Sequence, residues 1–327
     1  MYWLLTALTL FMGAAIGWSI GANDAANSLG TAVGSKVLTL RQAILMIAVF
    51  GFLGAYFYGG SVTKTIGKGI VPLHELPRTE ATLIALVSAF SACCWVVLAT
   101  YWKIPISTSH SIVGAVAGAG LALGAPVVWS KLRDIFICWI ATPFGAALLG
   151  FLLYMLFKTI LPKIIPARYA RPTVSGLIIV SGCYVAFSWG ANDVANATGV
   201  IAGAGLATPS VSVCIGGAAI VLGIVTWGYK VIETVGSELT TLSPIMAFSA
   251  QMASALNVHL YTLLGVPVST SHSIVGAIFG VGLVRGMHMV NMRIMREIFI
   301  CWIATPFASG ILSFAILKAI KLIFNVG

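Results

Sequence analysis

Two copies of a short polar motif, at residues 21–27 and 190–196, carry side chains suited to binding an ion. Each copy places one Asp and two Asn residues among Gly and Ala. The Asn-Asp-x-x-Asn spacing puts the last Asn one helical turn from the first pair, on the same helix face. Carboxylate and amide oxygens are hard ligands that suit Na⁺, and an Asp can alternatively carry a proton. The expected cation ligands are Asp24, Asn27, Asp193 and Asn196.

A second repeated motif, at residues 105–115 and 267–277, is typical of a helix N-terminus that binds anions. In each copy Pro precedes a Ser-Thr-Ser-His cluster, and an apolar run with Gly and Ala follows. The free N–H groups, the hydroxyls and the positive end of the helix dipole all favour negative charge. The expected anion ligands are Ser107, Thr108, Ser109, Ser269, Thr270 and Ser271.

The composition indicates that a membrane surrounds these motifs. The chain has 327 residues, of which 59% are hydrophobic and 8% charged, and its mean hydropathy is +1.03. Such values predict an all-α polytopic membrane protein, since the apolar segments are too long for barrel strands. The formal net charge of +10 comes from basic residues scattered between apolar segments, which favours topology signals over nucleic-acid binding. The first segment is expected to be a retained transmembrane helix rather than a signal peptide.

The apolar segments divide into two sets of five around a polar linker at 158–172, so that 1–157 and 173–327 form two repeats. An odd number of segments per repeat predicts opposite membrane orientations, and hence inverted-topology repeats. The short segments 105–124 and 268–284 are expected to be broken or re-entrant, giving about 10–12 membrane elements. The leading Gly of each Asn-Asp motif allows the backbone to leave helical geometry there. The segments are 1–20, 39–59, 80–102, 105–124, 132–157, 173–189, 211–228, 244–264, 268–284 and 297–317.

The distribution of basic residues gives a modest preference for one orientation. More of them collect on the inner side when both chain termini lie outside the cell membrane. Two further stretches also repeat: residues 65–67 match 234–236, and residues 134–143 match 297–306. The second of these, Cys-Trp-Ile-Ala-Thr-Pro, is expected to serve helix packing, with Pro143 and Pro306 as kinks balanced by neighbouring hydroxyls.

The paired motifs at 21–27 and 190–196, those at 105–110 and 267–272, and the stretches 31–35 and 230–236 resemble the PiT family of inorganic phosphate transporters. The resemblance covers nearly the whole chain. It implies a sodium- or proton-coupled phosphate symporter with an inverted repeat, about twelve membrane elements and a homodimeric assembly in the lipid bilayer. The family also contains sulfate permeases, so the resemblance leaves a proton-coupled phosphate or sulfate symporter open.

With phosphate as the implied substrate, its expected position is the space between the two Ser-Thr-Ser tips, where hydroxyls and helix N–H groups can bind its oxygens, and the expected mechanism is alternating access. A carboxylate repels an anion, which leaves two solutions: Na⁺ lies between Asp and phosphate, or the phosphate O–H donates to the carboxylate. No cofactor other than the coupling ion is expected. The phosphate-binding set adds the first Asn and Asp of each motif to the six hydroxyl residues: Asn23, Asp24, Asn192 and Asp193.

Two other classes of protein remain as alternatives. Paired Asp residues in membrane helices also occur in intramembrane aspartyl proteases, and a polar pathway is compatible with an ion channel. Duplication of both motifs together favours a carrier, because alternating access needs a doubly built site. The six Cys residues show no metal-ligand spacing, so buried thiols are expected.

Several charged or titratable residues receive weaker interpretations. His110 and His272, beside the tips, are expected to pack or to hydrogen-bond rather than to relay protons. Lys64, Lys230 and Glu233 are interpreted either as a gate or as interfacial residues. An exposed loop is expected around His74, Glu75 and Glu80.

Overall fold

The computed structural model describes residues 2–34, 36–102, 106–228, 242–284 and 292–324. Over these residues the chain is helical and contains no strand. This confirms the predicted all-α architecture. The helices are α1 (Tyr2–Asp24), α2 (Ala26–Gly34), α3 (Leu40–Lys64), α4 (Arg78–Tyr101), α5 (Thr108–Leu123), α6 (Trp129–Ile164), α7 (Ala167–Gly203), α8 (Pro209–Gly223), α9 (Pro244–Leu263), α10 (Thr270–Leu283) and α11 (Met292–Phe324).

All ten predicted apolar segments coincide with helices, and α2 is an addition. In the described part of the chain seven helices are long and apolar enough to cross a membrane, which confirms a multi-pass membrane protein. These are α1, α3, α4, α6, α7, α8 and α11. In contrast, α5 and α10 have 16 and 14 residues. At 1.5 Å per residue they reach about 24 and 21 Å, short of the roughly 30 Å hydrocarbon core.

The backbone differs between the two Asn-Asp motifs. In the first copy α1 ends at Asp24 and α2 begins at Ala26, so the helix is interrupted as expected. The second copy lies inside α7, which is continuous from Ala167 to Gly203, so the break expected there is absent. In this copy the side chain of Val194 packs against Gly59 of α3 and Gly216 of α8.

The polar linker at 158–172 is mostly helical. α6 continues to Ile164 and α7 begins at Ala167, so only two residues between them are non-helical. Pro162 and Pro172 therefore lie inside helices, but each is close to a helix end and removes only one backbone hydrogen bond. The division of the chain into repeats at this point stays a prediction.

Equivalent helices of the two halves make equivalent contacts across the molecule. α3 packs on α7 and α1 on α8, while α5 packs on α11 and α10 on α6. Glycine allows the closest approaches: a Cβ at Gly114 would lie 2.1 Å from the Pro306 carbonyl oxygen, and one at Gly276 would lie 2.3 Å from that of Pro143. Along these helices the two halves are therefore packed into each other.

Alanine at Gly114 or Gly276 is expected to destabilise the protein. An exposed helical Gly→Ala change normally stabilises by up to about 1 kcal/mol, but here overpacking against backbone outweighs that gain by about 1–3 kcal/mol. Gly176→Ala in α7 is the matched control, because nothing lies within 4 Å of its Cβ position. Thermal unfolding in detergent checks this. A wild-type Tm for Gly114→Ala and Gly276→Ala would contradict the packing described here.

Candidate functional site

The two Ser-Thr-Ser tips meet inside the protein, at the N-termini of α5 and α10. The ring centroids of His110 and His272, the residues that follow the tips, lie 4.5 Å apart. Ser107 caps α5 by accepting a hydrogen bond from the His110 N–H, and Ser269 caps α10 in the same way from the His272 N–H, both at 3.2 Å. One hydroxyl of each tip is thus used in capping, as the sequence predicts.

Each tip holds the carboxylate of one Asn-Asp motif. The Thr108 hydroxyl donates to Asp24 Oδ2 and the Thr270 hydroxyl donates to Asp193 Oδ2, both at 3.2 Å. Asp24 is 2% exposed and Asp193 is fully buried. Among the described residues neither carboxylate forms an ion pair. A buried carboxylate without a cation is costly, so this arrangement calls for a positive partner.

The last Asn of each motif connects its own half of the chain to the tip of the other half. Asn27 donates through Nδ2 to the Ser271 hydroxyl, and Asn196 donates through Nδ2 to the Ser109 hydroxyl, both at 3.0 Å. Asn196 Nδ2 also lies 3.4 Å from the Thr108 hydroxyl. The motifs and tips that the sequence predicts to assemble therefore do so, and the pattern is the same in both halves.

Two buried oxygen atoms of the second motif have no hydrogen-bond partner within the described structure. They are Asp193 Oδ1 and Asn196 Oδ1, and both residues are fully buried. The two residues are one α7 turn apart, on the same face. Paired carboxylate and amide oxygens of this kind are typical cation ligands. The donor set fits the predicted Na⁺ site.

The first Asn of each motif has another partner. Asn192 donates to the Thr262 hydroxyl at 3.0 Å and to the Val266 carbonyl at 3.1 Å, and its Oδ1 accepts from the Val268 N–H at 3.1 Å. In the first half Asn23 donates to the Thr100 hydroxyl. Asn192 thus holds the segment leading into the α10 tip, and phosphate binding by Asn23 and Asn192 stays a prediction.

The histidines pack and hydrogen-bond, in agreement with their sequence interpretation. The His110 ring stacks on Trp139 at 3.6 Å between centroids, and His272 stacks on Trp302 at 3.5 Å. His110 Nδ1 is 3.0 Å from the Trp302 carbonyl. That carbonyl is free because Pro306, four residues later, has no N–H. Pro306 thus supplies an acceptor for His110, while Thr142 and Thr305 bond within their own helices.

Gln251, a buried residue of α9, is not recognisable from the sequence as part of the site. Its Nε2 donates to the Ser28 carbonyl at 3.1 Å, and its Oε1 accepts from the Ser181 hydroxyl at 2.7 Å. Ser28 directly follows the ligand candidate Asn27 and lies just beyond the interruption between α1 and α2. Gln251 therefore positions the interrupted motif. Its only signal in the sequence is a carboxamide inside an apolar segment.

The remaining charged candidates lie away from the tips or outside the described residues. Lys64 is exposed at the end of α3, and His74 and Glu75 are exposed and 3.6 Å apart. Lys230 and Glu233 lie outside the described residues. The six cysteines are free thiols, but only Cys93 and Cys183 are buried and Cys214 is exposed, so the expectation of buried thiols is wrong for the rest of the set. Within the described ranges no cluster of three or more His, Cys, Asp or Glu residues forms a metal site.

Comparisons with known proteins agree with this geometry. The sequence model described as the phosphate transporter family matches residues 20–313. A protein of Pyrococcus furiosus named as a phosphate permease is 32% identical, over 97% of this chain and 97% of its own. A chloroplast protein of Arabidopsis thaliana named as an inorganic phosphate transporter is 31% identical, over 92% of this chain and 70% of its own. A solved structure described as the sodium-dependent phosphate transporter has a TM-score of 0.91 and 30% identity, covering 98% of this chain and 100% of that chain.

Buried carboxylates and carboxamides held at the N-termini of short helices, within a bundle of membrane-crossing helices, are typical of a membrane transporter rather than an enzyme. The family match extends over most of the chain, and the relatives align along nearly its whole length. The chain belongs to the phosphate transporter family.

We expect His110 to act through structure rather than through proton transfer. His110→Phe keeps the stacking on Trp139 but leaves the Trp302 carbonyl without a donor, at a cost of about 1–3 kcal/mol. His110→Asn is the matched variant, because its amide N–H can replace Nδ1–H. Thermal unfolding should show a lower Tm for His110→Phe than for the wild type, and a Tm between these two values for His110→Asn. A wild-type Tm for His110→Phe, together with a shifted pH dependence of uptake, would instead indicate a proton relay.

Proposed function

We propose that the protein is a symporter that imports inorganic phosphate together with Na⁺ by alternating access. The observation that carries the proposal is the pair of buried carboxylates, each bonded to the threonine that begins a short helix, with no ion pair in the described structure. The similarity to a solved sodium-dependent phosphate transporter supports the choice of ion.

Phosphate would bind between the N-termini of α5 and α10. The N–H groups of Thr108 and Ser109 belong to the first turn of α5, and those of Thr270 and Ser271 to the first turn of α10. N–H groups at these positions lack an intrahelical acceptor and attract anions. Two such termini facing one another surround a tetrahedral anion with donors. The Thr108 and Thr270 hydroxyls each donate their single proton to an Asp, so each would have to turn its O–H away from the carboxylate to join this set of donors.

Sodium would resolve the repulsion between the carboxylates and phosphate. At the second motif, Asp193 Oδ1 and Asn196 Oδ1 offer two unpartnered buried oxygens to the cation. With Na⁺ in place, the Thr270 hydroxyl bonded to Asp193 lies beside a neutralised carboxylate, and phosphate can approach. Neither ion binds well without the other, so their binding is thermodynamically coupled. Proton coupling would use the same Asp residues in their protonated form.

Alternating access would use the contacts that cross between the halves. One such contact joins the end of α3 to the segment before the α10 tip. The Thr65 hydroxyl donates to the Gly265 carbonyl at 2.6 Å, and the Ser61 hydroxyl donates to the Thr262 carbonyl at 2.8 Å. Separating this contact would open the site on that side. We also propose inverted repeats, a homodimer, and residence in the cell membrane with both termini outside, following the family resemblance and the distribution of basic residues.

Asp193→Asn is expected to abolish Na⁺-driven phosphate accumulation while leaving the fold intact, because the amide is nearly isosteric but cannot neutralise a cation. Radiolabelled phosphate uptake into proteoliposomes, under separate inward Na⁺ and H⁺ gradients and with excess unlabelled sulfate, is the measurement. Asp134→Asn serves as the control, since Asp134 is exposed and pairs with Arg133. Wild-type accumulation by Asp193→Asn would refute the site. Uptake that is driven only by H⁺, or that sulfate blocks, would refute the assignment of sodium and phosphate but would leave the position of the site unaffected.

Thr108→Val is expected to raise the KM for phosphate about 10-fold or more. Losing a hydrogen bond to a charged group costs about 1.5–3 kcal/mol, and this hydroxyl also orders Asp24 and Asn196. Thr108→Ser keeps the hydroxyl and should remain near wild type. Thr82→Val is the matched control, because its buried hydroxyl bonds only to the Arg78 carbonyl of its own helix. Equal KM values for Thr108→Val and Thr82→Val would count against an anion site at this tip.

A further inference from the structure

An apolar groove of about 350 Å³ lies on the flank of α5, between α6 and α11. Every residue that lines it is apolar or glycine. Several of the large lining side chains are well exposed, among them Phe307 at 61% and Ile311 at 68%. Its walls include Val113, Ala117 and Leu121 of α5, Phe136 of α6, and Phe307 and Phe314 of α11.

The groove has the length of one membrane leaflet. From Val113 to Leu121 α5 rises about 12 Å, which is close to half of the roughly 30 Å hydrocarbon core. Gly114 contacts Pro306 and Gly118 contacts Gly310, so α5 and α11 run parallel along the groove. Leu121 and Phe314 therefore lie at the same end, and Trp129, at the start of α6, lines that end too.

Basic residues mark this end of the groove on α11. Phe307, Ile311 and Phe314 share one helix face, and Lys318 and Lys321 continue the same face by one and two turns. Lys318 Nζ lies 5.7 Å from the centroid of the Phe314 ring. The ammonium group is thus held at the mouth of the groove, while its stem follows the apolar surface.

α6 adds a further cation to the same mouth. Trp129, Leu132 and Phe136 line the groove, and Arg133 shares their helix face. Arg133 is exposed and pairs with Asp134 at 3.1 Å, so it brings one acidic neighbour with it. Three basic side chains and one acidic side chain therefore lie on the helix faces that line or extend this end of the groove, beside Trp129, an aromatic residue typical of the membrane interface.

We propose that this groove binds an acyl chain of an anionic phospholipid, whose headgroup contacts Arg133, Lys318 and Lys321. An apolar slot one leaflet deep, with a net positive mouth at one end, matches an amphiphile with an anionic head. The lipid would lie along α5, the helix that begins with the Thr108 tip, and would support that helix from outside. The inference is independent of which cation is coupled to transport.

The equivalent face of α6, in the first half of the chain, carries one lysine fewer than this face of α11. In the repeated stretches, α6 residues 134–143 correspond to α11 residues 297–306. The same correspondence places Met155 of α6 at the position of Lys318, and Lys158 at that of Lys321. Lys158 lies over the Tyr154 ring at 5.8 Å, so it forms a comparable lysine–aromatic pair elsewhere. Lys158→Gln is therefore a matched control.

The test uses the full chain in detergent, titrated with dioctanoyl phosphatidylglycerol or with dioctanoyl phosphatidylcholine. Native mass spectrometry counts the bound lipid, and thermal unfolding measures the stabilisation. We expect phosphatidylglycerol to bind at least fivefold more tightly than phosphatidylcholine. Arg133→Gln combined with Lys318→Gln should remove that preference, whereas Lys158→Gln should keep it. Ala117→Phe fills the groove and should reduce binding of both lipids, and Leu121→Trp is a second groove-filling variant if the first does not fold.

Three outcomes would overturn the proposal. Equal binding of the two lipids would show that the basic residues do not recognise a headgroup. Unchanged lipid binding in a folded groove-filling variant would place the lipid elsewhere on the protein. A change in oligomer mass caused by Ala117→Phe, without a change in lipid binding, would show that a second copy of the chain occupies the groove.

Discussion

The structure depends on two carboxylates that are buried without a basic partner in the part of the chain described. Asp24 and Asp193 each receive one hydroxyl hydrogen bond from a helix N-terminus. Hydroxyl donors alone do not balance a buried charge, because removing a carboxylate from water costs several kcal/mol or more. Whatever binds between the two tips must therefore do so beside buried acidic groups, and this constrains every other part of the site.

The surrounding helices serve to bring two helix N-termini to these carboxylates. α5 and α10 are too short to span the bilayer, so their first turns lie within the protein. They stay in place because α11 and α6, from the opposite halves, approach them at glycine. Proline contributes as well: the carbonyl that Pro306 leaves free accepts the hydrogen bond of His110, directly beside the α5 tip. Irregular backbone is tolerated in a membrane protein where it is buried within the protein, as it is at these tips.

Sequence analysis predicted those features that depend on local pattern. Hydropathy located ten helices, and the repeated Pro-x-Ser-Thr-Ser-His stretches identified two helix starts and their caps. The two motifs were expected to meet, and they do. Differences that depend on distant partners were not visible: the helix is interrupted at the first motif and continuous through the second, although the two motifs differ only at Ala25 and Val194. The anchoring roles of Thr100, Thr262 and Gln251 likewise become clear only when their carbonyl or amide partners are known.

The packing of each half into the other has a consequence for how the chain is made. α3 and α5 emerge from the ribosome well before α7 and α11, which cover their glycine-lined faces. The interval between α5 and α11 is on the order of 170–200 residues, or roughly 10–40 s at ~5–20 residues per second. During that time the first half of the chain lies in the bilayer with its glycine-lined helix faces uncovered. Its Asn-Asp motif and its Ser-Thr-Ser tip still lack their partners from the second half. Membrane insertion therefore precedes tertiary assembly, and the protein must be protected in a half-built state until its last helix arrives.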